Sequence, residues 1–557
     1  MKSTHATEAT FHANHKSAHI TDSINASRRK TKQFSSYFRF LTFPVTHTIS
    51  RPHNFPVTHI IFSHTHTSSH YQSTRNMNTS TRPHPIIALL PLLSLIALIA
   101  CALLYFPDDA LSGASQVAMM IATAVCVALS MRIYKTPWTV FEERIKSTVG
   151  DAAVSILLLL LIGMMSATWM ISGVVPTLIY YGVQIMSPMF FLPCACIISA
   201  IISVMTGTSW TTIATIGIAL MGIGTALGIP EPYTAGAVIS GAYFGDKLSP
   251  MSDTTVLASS MAGADLFTHI RFMLYTTIPS MAISLLLYLV MGLFYNGKAM
   301  EVTMYTDGLA QGFRISWLTL LVPAYTGWLI YRKVPSLITL LLSSLAACIC
   351  AAVLQPEVLA GIAGEATVTV KSLFIGLMKA CYTSTQVDTG YQAINDLVAT
   401  RGMAGMLNTI WLILCAMSFG SCMVASGMLK SLTSTLLRYI RSTASLVCSS
   451  VATGCLLNLI MGDQFLSIIM NCSIYEEEYR DRGYRPELLS RSTEDSATVT
   501  SVLVPWTACG MTQSTVLGIP TLVYLPFCFF CIISPIMSCI VAILGYKIPK
   551  PKDSRMA

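Results

Sequence analysis

Carboxylates and hydroxyls gather at two places inside otherwise apolar sequence. The first is Gly245-Asp246-Lys247-Leu248-Ser249-Pro250-Met251-Ser252-Asp253-Thr254-Thr255, and the second is Ser492-Thr493-Glu494-Asp495-Ser496-Ala497-Thr498-Val499-Thr500. A charge near a bilayer centre costs at least ~2.5–3.5 kcal/mol, and oxygen ligands of this kind suit small hard cations. Such a cluster in each half of a membrane chain reads as an ion path. Asp253 follows Pro250 by three residues and is flanked by Ser252, Thr254 and Thr255. Proline frees carbonyls of the preceding turn, so one carboxylate and several neutral oxygens can replace the hydration shell of a sodium ion. Desolvation makes the ionised carboxylate costly, so protons compete with sodium at the same place. The plain alternative is an Asp that caps a helix at an aqueous loop.

Neighbouring residues carry two readings each. Asp246-Lys247 is either a solvated boundary pair or a gate in which Lys247 occupies an acid while the site is empty. Glu494-Asp495 either completes a solvated loop running from Glu476 to Arg491 or belongs to the site, since Ser496, Thr498 and Thr500 keep the following span polar. Asp463-Gln464 is a surface turn or a second-half contribution. His269 lies before a span and titrates in the physiological range. It reads as a pH sensor or as an interfacial residue without a role.

The elements that must hold these residues are membrane helices. Of 557 residues, 53% are hydrophobic and only 11% charged, against about 25% charged in soluble domains. A span needs about 20 apolar residues. The spacing predicts spans at 85–106, 114–133, 152–172, 188–206, 272–294, 314–331, 335–355, 407–426, 443–461 and 519–545. Segments 207–228, 233–264 and 463–475 with 495–517 are apolar but broken by Gly, Pro, Thr and Ser, and read as hairpins or discontinuous helices. The segment 137–148 is amphipathic and should lie on the inner interface. The expected fold is an all-α polytopic membrane protein of about 10–12 transmembrane helices in two inverted repeats, over 77–300 and 301–545. Gly207-Thr208-Ser209-Trp210 and Gly462-Asp463-Gln464-Phe465 are the matching breaks, each followed by an acidic, hydroxyl-rich stretch at Asp253 and Asp495. Interrupted segments at matching positions of two halves point to a transporter site.

Lys and Arg placement puts the loop at 132–146, Arg332-Lys333, Lys430 to Arg441 and the tail 546–557 on the cytoplasmic side. Residues 1–76 hold nine Lys and Arg against two Asp and Glu, with ten of the twelve histidines. This arm reads as disordered, with translation starting at Met77. The remaining 25 basic and 24 acidic residues balance, so nothing suggests nucleic acid. The 16 cysteines all follow residue 100 and read as packing residues, with neither a metal nor a disulfide role. No phosphate-binding loop and no catalytic triad is present, so neither ATP-driven pumping nor enzyme activity is expected, and no cofactor.

The run Phe244-Gly245-Asp246-Lys247-Leu248-Ser249-Pro250-Met251-Ser252-Asp253-Thr254-Thr255, with Met261 to Ile270, resembles the NhaC-type sodium/proton antiporter family. So do Gly207-Thr208-Ser209-Trp210, Leu489 to Ser496, Pro505-Trp506 and Leu517-Gly518-Ile519-Pro520. The resemblance spans roughly residues 85 to 545. It implies an inner-membrane carrier that exchanges Na⁺ or Li⁺ for H⁺. The lipid bilayer is the other expected partner, and the sequence leaves the oligomeric state open, a homodimer included. The resemblance also implies, as the alternative in the same family, exchange of malate and protons against lactate and sodium. It carries an ion-binding role onto Asp253 and its neighbours and onto Asp495. The expected cation ligands are Asp253, Ser252, Thr254, Thr208, Ser209, Asp463, Glu494, Asp495 and Ser496, with sodium at the Asp253 region; Asp246, Lys247 and His269 would serve protons or gating. Val256, Ala258-Ser259-Ser260 and Ala497 depart from the family pattern, which has Asn, a Pro and Gly there.

Overall fold

In the computed structural model the described residues are 83–106, 113–294, 302–437 and 440–548. The arm at 1–76, Asp108-Asp109, Arg438 and most of the basic tail lie outside them. The described chain is helical, with one isolated β-bridge, Thr385 to Thr400. The helices used below are α1 (Pro85–Tyr105), α2 (Ser115–Ile133), α3 (Trp138–Asp151), α4 (Ala153–Ile171), α5 (Pro188–Thr206), α6 (Ser209–Ala226), α7 (Glu231–Leu248), α8 (Asp253–Ala262) and α9 (Leu266–Phe294). In the second half they are α10 (Ser336–Leu354), α11 (Leu407–Ala425), α12 (Thr443–Met461), α13 (Gln464–Asp481), α14 (Pro486–Thr493), α15 (Ala508–Leu517) and α16 (Phe529–Ile543).

Among the described residues nine helices are long and apolar enough to cross a membrane, or ten if the pair Thr521–Phe527 and Phe529–Ile543, bent by 57°, is one span. The expected span at 314–331 is shorter: a 3₁₀ turn Trp317–Leu320 leads into an α-helix Leu321–Tyr331. The expected span at 272–294 is longer, because α9 begins at Leu266 and takes in His269. Segment 207–228 is broken only at its start; α6 then runs to Ala226 through a π turn at Ile213–Gly217. It is also the most enclosed span, 78% buried against 33% for the α1 window. Apolar α6 therefore sits among other helices, whereas most of α1 lies on the outside of the protein. The amphipathic segment is α3; Phe141 is its buried anchor, and Glu142 pairs with Lys146 on its exposed side at 2.5 Å.

The caps repeat. Helix α5 ends on Gly207 (φ 70°) and α12 on Gly462 (φ 67°), 255 residues later, each in the left-handed region that favours glycine. Ser252 caps α8 by accepting from Thr255 N, and Thr507, again 255 residues on, caps α15 by accepting from Gly510 N. Helices α8 and α15 end on left-handed Gly263 and Gly518, at the same interval. This register corrects the sequence match of Asp253 to Asp495. By the caps, Asp253 corresponds to Ala508 and Asp495 to Ser240. The two acids sit on opposite sides of their breaks, because α14 runs on through a π turn at Glu494–Thr498 before the break is reached.

Candidate functional site

Helix α7 brings the first motif inward because its glycines let it lie directly on α5. A Cβ on Gly241 would stand 2.0 Å from Cys196 O, and one on Gly245 would stand 2.4 Å from Ala200 O. Ser203 Oγ donates to Ala242 O at 2.6 Å across the same contact. The end of α7 thereby reaches the start of α6. Asp246, 4% exposed, accepts Ser209 N at 3.0 Å and Ser209 Oγ at 2.7 Å on Oδ2, and Ser252 Oγ at 2.6 Å on Oδ1. Ser252 Oγ lies 3.0 Å from Thr254 Oγ1, and Thr255 Oγ1 donates to Lys247 O at 3.1 Å. Thr208 contributes its carbonyl to Thr206 and Thr212 hydroxyls. A cavity of about 20 Å³, room for one water-sized occupant, is lined by Thr206, Thr208, Thr211 and Met251 with Ile330, Val334, Ser336 and Thr339.

Lys247 leaves α7 on another side. It is fully buried and forms an ion pair with Asp495, also fully buried. Lys247 Nζ further donates to Ser534 Oγ at 3.2 Å, and Asp495 Oδ1 accepts from Thr276 Oγ1 at 3.2 Å and Ser534 Oγ at 3.1 Å. The pair thus joins α7 of the first half to the π turn of the second, with α9 and α16 supplying hydroxyls. Arg491 is fully buried, its Nε 4.0 Å from Asp495 Oδ2 and its guanidinium 4.5 Å above the Phe272 ring. None of its three nitrogens has a hydrogen-bond partner, nor has either oxygen of buried Glu494. His269 is buried, with Nδ1 2.7 Å from Ser490 Oγ and Nε2 unpartnered.

Several expectations change. Asp253, placed at the centre of the site by its spacing, is an exposed first-turn residue of α8; its neighbour Ser252 is the cap, and the buried carboxylate is Asp246. A helix start turns successive side chains by about 100°, so one residue decides which points inward. Val256 is 41% exposed, so the amide lost there is not one that would have faced Asp246. Arg491 closes no solvated loop; Glu487 to Thr493 are all buried. His269 is enclosed by protein and bonded to Ser490 rather than exposed. Ser496 Oγ bonds back to Ser492 O and Thr493 O and packs on Gly454, away from the ion pair. Asp463 caps α13 by accepting Leu466 N at 2.9 Å, and no hydrogen bond or ion pair among the described residues links it to Asp246 or Asp495. Thr276, Ser534 and Arg491 were not anticipated. The signal for the first two is hydroxyl spacing of four within apolar helices, Thr276-Ser280-Ser284 and Ser534-Ser538.

The sequence profile of the Na⁺/H⁺ antiporter family matches residues 241–546. The chain belongs to that family. It is 34% identical over 437 residues to the Na⁺/H⁺ antiporter NhaC of Alkalihalophilus pseudofirmus, covering 78% of this chain and 92% of that one. Similarity extends at 34% over 418 residues to the malate-2H⁺/Na⁺-lactate antiporter of Bacillus subtilis, 74% and 85% of the two chains. It extends at 30% over 484 residues to the arginine/ornithine antiporter ArcD of Halobacterium salinarum, 86% and 95%. These family members are antiporters rather than enzymes. The matched profile begins four residues before Gly245 and so takes in Asp246, Lys247, Arg491 and Asp495 together.

Proposed function

We propose that this chain is a secondary antiporter that moves Na⁺, or Li⁺, out against H⁺ moving in, by alternating access. The observation that carries the reading is Asp246, a buried carboxylate held by three donors beside a buried ion pair that ties the two halves together. Sodium would displace the hydroxyl protons of Ser209 and Ser252 from Asp246 and take those oxygens, with Thr254, as neutral ligands. Lys247 would hold Asp495 while no cation is bound and release it when the halves rearrange. The halves 77–300 and 301–545 are read as inverted relative to each other, in the inner membrane with the C-terminus cytoplasmic, a reading supported by the recurring caps and the basic loops.

The test uses everted vesicles from a host without its own antiporters, with a pH-sensitive dye reporting the respiratory gradient. NaCl or LiCl should collapse it. Asp246→Asn should slow that response at least about tenfold, equivalent to 1.4 kcal/mol in the barrier, while Asp253→Asn should retain it. Silence to every cation from a well-expressed protein overturns the proposal. One observation favours a second reading, exchange of organic anions: the buried Arg491 guanidinium makes no hydrogen bond and has only a 4.0 Å contact with Asp495 for its charge, so it could take a carboxylate. Malate-driven release of preloaded lactate, lost in Arg491→Gln, would establish it.

A further inference from the structure

The 255-residue register lays a second set of residues over the Asp246 site. Ser209 corresponds to Gln464, Asp246 to Ser501, Ser252 to Thr507 and Thr254 to Cys509. These second-half residues also come together. Gln464 Oε1 accepts Ser501 Oγ at 3.1 Å and Cys509 Sγ at 3.0 Å, so the contact between the start of α6 and the end of α7 recurs between the start of α13 and the segment after α14. Donor and acceptor have changed places. In the first half the acceptor is the carboxylate at the helix end; in the second it is the amide oxygen at the helix start.

The charge has moved with the acceptor. Asp463, one residue before Gln464 and 7% exposed, stands where the first half has Thr208. Independently, Gln513 is fully buried with neither its amide oxygen nor its nitrogen hydrogen-bonded. It lies one turn beyond Cys509 on α15, the residue whose thiol reaches Gln464. An orphaned buried polar atom costs about 1–3 kcal/mol, and Gln513 carries two. An occupant that satisfies them removes that cost. No group of three His, Cys, Asp or Glu gathers among the described residues, so the oxygens here suit an alkali cation rather than a transition metal. The next turn of α15, Thr515 to Leu517, lines a cavity of about 740 Å³ that also presents Glu231 and Asp396, a wet approach with carboxylates at its wall.

We propose a second monovalent-cation site in the second half, with Asp463, the Gln464 and Gln513 amide oxygens and Ser501 Oγ as ligands. The proposal rests on the sodium reading above and adds a second ion to it. As at Asp246, hydroxyl and thiol protons fill the acceptor until a cation replaces them.

The experiment counts radiosodium bound at saturation by the purified full chain in nanodiscs. The wild type should bind two sodium ions per chain, Asp246→Asn one, and Gln513→Leu or Asp463→Asn one. A wild-type count of one, abolished by Asp246→Asn and unchanged by Gln513→Leu, overturns the second site and leaves the antiporter reading standing. A wild-type count of zero overturns both. The wild-type count decides the matter even where a variant fails to fold.

Discussion

Asp246 and Asp495 are both buried, yet their surroundings divide their work. Asp246 faces hydroxyls that can rotate out of the way of a cation, whereas Asp495 faces a fixed positive charge in Lys247. Removing one partner of a buried ion pair leaves an uncompensated charge and costs roughly 3–5 kcal/mol. Lys247→Met and Asp495→Asn should each lower stability by about that amount, while Lys247→Met with Asp495→Leu should regain only part of it, since Arg491 then loses its counter-charge, and should not regain exchange. Thermal unfolding in detergent, run beside the vesicle assay, checks both halves of the statement. The motif Gly245 to Thr255 was legible as polar residues out of place in an apolar chain, and so were Lys247 and Asp495. What spacing could not reveal was the inward residue. Asp246 and Asp253 are equivalent on paper and differ only because α7 ends between them and α8 starts on Ser252. Arg491 was hidden by its charged neighbours, Glu476 to Arg485, which are mostly exposed.

Helix ends set the positions of these side chains, so glycines there should differ in what they tolerate. Gly207 and Gly263 both sit at positive φ, 70° and 74°, but a Cβ on Gly207 would meet Met251 Cβ at 2.8 Å and its carbonyl carbon at 2.9 Å, while Gly263 has open space. Gly263→Ala should cost only the left-handed strain, about 1–2 kcal/mol. Gly207→Ala should cost more and also impair exchange, because it pushes the Met251 backbone and hence Ser252 away from Asp246. Unfolding temperatures of the two variants test the order. At the start of α9, Asp265 accepts Thr268 N at 2.9 Å and Thr268 Oγ1 at 2.8 Å, and these bonds hold its carboxyl below the usual carboxylate range. A depressed folded pKa means stability that is present above the unfolded value and lost as pH falls through the folded one. Asp265→Ala should therefore lower the unfolding temperature at neutral pH, with the difference closing in acid. Apolar length found most spans, since long apolar helices advertise themselves in composition. It overestimated 314–331, where Pro323 and a 3₁₀ start shorten the helix, and it ended 463–475 too soon, since α13 runs on to Asp481 through charged residues that composition does not mark as a span.

At the scale of the whole molecule, the two cavities described above are unequal, about 740 Å³ beside α15 and about 20 Å³ beside the α5–α6 break. If exchange alternates access, a cysteine at Ser384 in the larger cavity should react with an impermeant maleimide from one face of the membrane. One at Thr208 should react from the other face, and only when the halves rearrange. Labelling rates with and without sodium, against the parent chain's own cysteines, test this; reaction of both from one face would contradict it. The repeat was legible as two matching breaks, but its register was not, because acidic residues were aligned where capping residues keep the true interval. The separation of the buried ion pair along the chain bears on how the protein is made. Lys247 and Asp495 stand 248 residues apart in the chain, and ribosomes add roughly 5–20 residues per second. For some tens of seconds the newborn first half holds a lysine whose counter-charge does not yet exist. α7 must wait near water, or borrow a partner, until the second half emerges. Assembly of the core is thus a late event, timed by translation.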